Sequence, residues 1–73
     1  MKYITVKIHN NSLGQVKMFD NWLDAVSHII TLYKDQFVKK LDDDQMDSLE
    51  NDFEVYVEED HDNTYTFSIG TVD

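Results

Sequence analysis

Apolar and polar residues alternate with a period of two at both ends of this 73-residue chain and with a helical period between them. From Lys2 to Ile8, Ile4, Val6 and Ile8 fall on one side and Tyr3, Thr5 and Lys7 on the other. That alternation, rich in β-branched residues, predicts a strand. His9-Asn10-Asn11-Ser12 is turn-forming, with Gly14 close behind. Gln15 to Phe19 then predicts a short second strand, with Val16 and Met18 on one face, as the hairpin partner of the first. A two-stranded ribbon does not stand alone in water, so the rest of the chain must cover it.

The period changes after Phe19. Trp22, Ala25, Val26, Ile29, Ile30, Tyr33 and Phe37 recur at three- and four-residue steps, which predicts a helix over about Asn21 to Lys39 with this stripe in the core. Asp20 or Asn21 can cap its start. Lys34, Lys39 and Lys40 suit the negative end of its dipole. Asp42-Asp43-Asp44 opens a second, shorter helix to about Asp52, where Asp44 and Asp47 resemble a capping pair. Met46, Leu49 and Phe53 form its inward stripe, and Asp43, Asp47, Glu50 and Glu54 lie outside.

Alternation then returns. Phe53, Val55 and Val57 against Glu54, Tyr56 and Glu58 predict a third strand; Glu59 to Asn63 is a turn. Tyr65, Phe67 and Ile69 against Thr64, Thr66 and Ser68 predict a fourth. The order is β-β-α-α-β-β, without repeats or linkers. It implies a single α+β domain over residues 1–73, a four-stranded, mostly antiparallel sheet with the helices on one face.

Composition sharpens this picture in one respect, the placement of charge. The chain has six Lys, no Arg and fifteen acids, a net charge of −9. Residues 1–40 carry +3 and residues 41–73 carry −12, with no base after Lys40. Such a chain is a poor ligand for nucleic acid or an anionic membrane and a good one for a basic partner. A domain of this size buries only about 60% of its unfolded surface. With no cysteine to staple it, self-association as a homodimer through open strand edges is expected. The N-terminal MKYITVKIHN lacks the apolar run of a signal peptide, and no stretch approaches transmembrane length. A cytoplasmic location is the default expectation.

The residue patterns that carry chemistry are weak. Asp42 to Asp47 and Asp60 to Tyr65 lack the glycine and the ligand spacing of a calcium loop, since Met46 and Tyr65 stand at positions that need other residues. His9, His28 and His61 show no metal-ligand spacing; His28 is expected to be a partly packed surface residue, and Asp60 and Asp62 flank His61. No phosphate loop, nucleophile elbow or cysteine nucleophile is present, and carboxylates in a solvated row do not separate their pKa values. The expectation is a non-enzymatic protein with no cofactor and no dedicated metal.

What remains is the acidic surface, composed of Asp42, Asp43, Asp44, Asp47, Glu50, Asp52, Glu54, Glu58, Glu59, Asp60 and Asp62, with Tyr56 as an exposed aromatic contact. Its bland explanation is solubility, and for Tyr56 packing across the hairpin onto Thr64 or Thr66. Against that, like charges three or four apart on a helix each cost about 0.2–0.5 kcal/mol, yet none of the six lysines relieves them. Carboxylates about 5–6 Å apart on a helix and roughly 6.6 Å apart on a strand are spaced comparably to successive phosphates of DNA.

In size, charge and carboxylate rows, chiefly over residues 42–62, the chain resembles the small, acidic, cysteine-free DNA mimics, mostly encoded by bacteriophages. Members of that class occupy the DNA sites of host or defence proteins, among them uracil-DNA glycosylase, restriction enzymes, CRISPR effectors and the nucleoid protein HU. The class has no common fold or motif. The resemblance implies an inhibitor of a basic DNA-binding host protein, acting in the bacterial cytoplasm during host takeover. The alternative is a small interaction, adaptor or toxin-neutralising domain that works through apolar contacts or a sheet edge, its acidity serving solubility.

Overall fold

The computed structural model describes residues 1–72. Its elements follow the expected order: β1 (Lys2–His9), β2 (Ser12–Phe19), α1 (Trp22–Phe37), α2 (Asp43–Asp52), β3 (Glu54–Asp60) and β4 (Asn63–Val72). The strands form one antiparallel sheet in the order β2-β1-β4-β3. The first and last strands therefore pair at its centre, and β2 and β3 are its edges.

The first hairpin turns at Asn10 and Asn11, with φ of 51° and 66°. Asparagine tolerates this left-handed region, and two such residues in succession match the strand twist in a tight hairpin. β2 begins at Ser12 rather than Gln15. Lys7 pairs with Gln15 while Ile8 pairs with Leu13, so Gly14 is the extra residue of a bulge. The bulge breaks the alternation, which is why the pattern hid the strand's first turn. A Cβ on Gly14 would stand 3.1 Å from the Lys7 carbonyl oxygen.

Asn21 caps α1, its side-chain oxygen accepting from the Asp24 amide at 2.9 Å. The helix ends earlier than its pattern suggests, at Phe37, because Val38 turns left-handed (φ 57°) and donates its N–H to the Lys34 carbonyl at 2.7 Å. Only Lys34 lies in the last turn, and Lys39 and Lys40 fall beyond it. This stop holds Phe37 edge-on to Tyr65, ring centres 5.1 Å apart.

The core joins Ala25, Ile29 and Tyr33 of α1 and Leu49 of α2 to Val55, Tyr65, Phe67 and Ile69 of the sheet. Tyr3, Phe19, Trp22, Val26, Leu32, Phe37, Leu41 and Val57 pack around it. Each large apolar side chain fully buried here contributes about 1.5–3 kcal/mol. Phe53, expected on the inward stripe of α2, is instead its left-handed C-terminal residue (φ 60°) and 48% exposed. Its ring meets the edge of Trp22 at 5.2 Å.

The sheet's sidedness follows from register. Buried Tyr65, Phe67 and Ile69 pair with His9, Lys7 and Thr5, so the helices cover the Tyr3-Thr5-Lys7-His9 side of β1. Ile4, Val6 and Ile8 point away from the helices. Thr5 is buried and donates its hydroxyl to the Lys17 carbonyl at 3.3 Å. Among the described residues no helix is long and apolar enough to cross a membrane.

Candidate functional site

The acidic surface is built by α2, by edge strand β3 and by the turn that leads into β4. Asp42, not Asp44, is the N-cap of α2. Its carboxylate accepts from the Gln45 amide at 2.8 Å, and the Gln45 side chain accepts from the Asp42 amide at 2.9 Å. The reciprocal pair forms because Gln45 stands three residues after the cap. Asp43 and Asp44 occupy the first turn, where the helix dipole favours anions. Asn51 fixes Asp47, donating to its carboxylate at 2.8 Å and its carbonyl at 3.0 Å.

Glu50 and Asp52 lie toward the other end of α2, whose last turn holds no base. There the dipole opposes them. The helical row of acids stops at this point. Phe53 redirects the chain, its amide still bonded to the Leu49 carbonyl at 3.1 Å and its carbonyl accepting from the Ile69 amide at 2.9 Å. Glu54 therefore belongs to β3 and does not continue the row Asp43-Asp47-Glu50.

On β3, Glu54, Tyr56 and Glu58 pair with Ser68, Thr66 and Thr64 and share the open face of the sheet, away from the helices. Tyr56 is 54% exposed and stands opposite Thr66. Glu59 alternates to the helix side. There its charge, with that of Asp60, adds to burial in raising the Tyr65 phenol above its ordinary value of 10.0, burial being the larger cause. All twelve expected contact residues are exposed, but they wrap around the β3 edge instead of sharing one plane.

The tip of the second hairpin is ordered by Asp60. Its carboxylate accepts from the Asn63 side chain at 3.0 and 3.1 Å and from the Asp62 amide at 2.8 Å. These bonds, that from the Asn63 side chain foremost, hold the carboxyl below its ordinary pKa of 3.8. The two hairpin tips are tied together. Asn10 accepts from the Thr64 amide at 2.8 Å through its side chain, and its own amide donates to the Thr64 carbonyl at 2.9 Å. His9 stacks on Tyr65 at 4.5 Å and pairs with the Asn63 side-chain oxygen at 3.1 Å. The sequence marked Asn10 as a turn residue, but nothing in it linked that turn to the acidic one.

Among the described residues the only ion pair joins Lys2 and Asp20 at 3.6 Å. None of the eleven acids of the expected surface is paired with a cation there. No three His, Asp or Glu side chains among the described residues converge as metal ligands do, and no pocket opens among them. No family model, curated protein or solved structure matches the chain.

Proposed function

We propose that this chain is a non-enzymatic DNA mimic that binds a basic DNA-binding protein and blocks its nucleic-acid site. The observation that carries this reading is the uncompensated edge. The acids of α2, β3 and the second hairpin tip are exposed and without a cation partner among the described residues, while the six lysines lie in the other half of the sequence. Solubility alone does not require such segregation; interspersed charges of both signs keep a small domain soluble at less cost in self-repulsion.

Carboxylates held on a helix and a strand are also pre-organised. Asn51 fixes Asp47, and Asn63 with the Asp62 amide fixes Asp60, so less side-chain freedom is lost when a cationic surface docks. The partner's lysines and arginines would meet Asp43, Asp47 and Glu50 on one side of the edge and Glu54 and Glu58 on the other. Long-range attraction speeds such an encounter and weakens as salt screens it.

The test is capture of basic proteins from a bacterial lysate on the immobilised domain, eluted with a salt gradient and challenged with duplex DNA. DNA-binding proteins that elute at moderate salt and are displaced by the duplex support mimicry. Binding that is insensitive to salt and to DNA removes it. If the protein is instead an adaptor acting through exposed aromatics, Tyr56→Ala abolishes binding and acid-to-amide changes leave it intact. Phage origin, host takeover and a cytoplasmic site of action follow from the mimic class and stand with this proposal.

A further inference from the structure

The open face of the sheet carries a second apolar layer with no element over it among the described residues. Register places Ile4, Val6 and Ile8 of β1 beside Met18, Val16 and Leu13 of β2 on that face. Val16 and Met18 are each 49% exposed and Leu13 is 68% exposed. A one-sided antiparallel sheet normally alternates apolar-in and polar-out. β1 does the reverse, turning Thr5, Lys7 and His9 toward the helices and its aliphatic residues toward solvent. Toward the far edge the same face becomes polar, with Gly70, Ser68 and Thr66 on β4 and Glu54, Tyr56 and Glu58 on β3.

We propose that this apolar half is a self-association surface on which a second copy of the chain stacks face to face. The charge pattern identifies the occupant. Between Ile4 and Ile8 and between Leu13 and Met18 the face presents no charged side chain, since Lys7 and Lys17 belong to the helix side. Such a patch complements itself and offers a basic or acidic partner nothing to pair with. The acids of β3 on this face lie three strand spacings or about 14 Å from β2, beyond the ~8 Å screening length at physiological salt, and at the margin beyond Ile4 and Met18 the charge of Lys2 is paired with that of Asp20.

The same pattern selects the symmetry. Two sheets stacked about a two-fold axis perpendicular to the strands superpose β3 on its equivalent and bring Glu54 and Glu58 onto their copies. An axis along the strands, passing through the β1–β2 half, overlaps only the apolar halves and sends the two acidic edges in opposite directions. The second arrangement is the one proposed. In plan the patch measures on the order of 200 Å², and with the uncharged side chains of β4 it remains smaller than the roughly 800 Å² per partner of a standard interface. The dimer is therefore reversible and its population depends on concentration.

This inference does not rest on mimicry, and its test separates the two. Mass is measured by sedimentation equilibrium from about 1 µM to about 1 mM, at low and high salt. The wild-type mass climbs from 8.6 kDa toward twice that value, and high salt leaves the dimer intact or tightens it, opposite to its effect on an acid-mediated complex. The Val16→Lys/Met18→Lys double variant, folded by circular dichroism, stays at the single-chain mass. Leu23→Lys, on exposed α1 surface outside the patch, dimerises as wild type. Val6→Lys lies one strand inside the edge and also abolishes the dimer; pairing of two β2 edges would survive it, and that result overturns the stacked arrangement. A wild-type mass of one chain throughout, or a Val16→Lys/Met18→Lys variant that dimerises normally, overturns the proposal altogether.

Discussion

Gln45 joins the start of the acidic helix to the centre of the core. Its side-chain oxygen accepts from the Asp42 amide at 2.9 Å while its nitrogen donates to the buried Tyr33 hydroxyl at 3.1 Å. One amide thus positions α2 against α1 and satisfies a phenol that has no access to water. Replacing Gln45 by Ala removes both bonds. The expected loss is about 1–2 kcal/mol, read as a lower denaturation midpoint at unchanged denaturant slope. Gln45→Glu keeps the link to Asp42 and lets the Tyr33 hydroxyl become the donor, so its loss is smaller.

Val38 offers the opposite opportunity. A β-branched residue rarely adopts φ near 57°, and here it is 88% exposed, with little packing to lose. Val38→Gly is expected to stabilise the domain by about 1 kcal/mol. In a domain of this size that raises Tm by roughly 4–8 °C, measurable by thermal scanning. An unchanged or lower Tm would mean that Val38 makes a contact that glycine cannot replace.

His28 should give the domain a pH-dependent stability. Its ring lies 5.1 Å from Phe19, and burial, followed by the charge of Lys17, lowers its pKa below the ordinary 6.5. The unfolded chain therefore holds the proton more tightly, and stability rises with pH through this window. The contribution is complete above pH 6.5 and fades as pH falls through the folded-state value. Urea titrations between about pH 5 and 7 should show this slope, and His28→Gln should flatten it. A proton NMR titration placing His28 at or above 6.5 contradicts the account. Asp60, also depressed, adds a loss of the same sign at more acid pH, below 3.8.

Glu50 sets stability against the proposed function. It stands three residues from Asp47, near the helix end whose dipole opposes anions and whose last turn has no base. Glu50→Lys should stabilise the fold by about 0.5–1 kcal/mol. Under mimicry it should weaken binding to the basic partner at least about tenfold. If the acids serve solubility, stability rises and binding does not change. Calorimetric unfolding paired with a binding isotherm separates these outcomes.

The pattern of apolar positions located every element because each lies on a strongly periodic stretch, and Asn21 was among the two residues that could begin α1. Three features are not carried by that pattern. The bulge at Gly14 concealed the start of β2. The left-handed turns at Val38 and Phe53 are occupied by residues that do not announce them. Both sides of β1 carry enough apolar character to face a core, so only pairing with Tyr65, Phe67 and Ile69 decides which one does. Exposure of the acids was legible from their spacing against Leu49 and Val55. Their division between two sides of the β3 edge was not, because a single left-handed residue, Phe53, sets it.

The central pairing of β1 with β4 has a kinetic consequence. Each hairpin is local, but Tyr3 of β1 and Phe19 of β2 reach the core built by α1, α2 and the second hairpin only when Lys2 comes to lie opposite Val72. Closing that contact means bringing together the segments farthest apart in the chain, so it carries the largest loop-entropy penalty and commits the molecule to fold. Lesions at the β1–β4 seam should therefore slow folding, whereas lesions on the outer strand β2 should chiefly hasten unfolding. The domain is a loop fastened at its own ends.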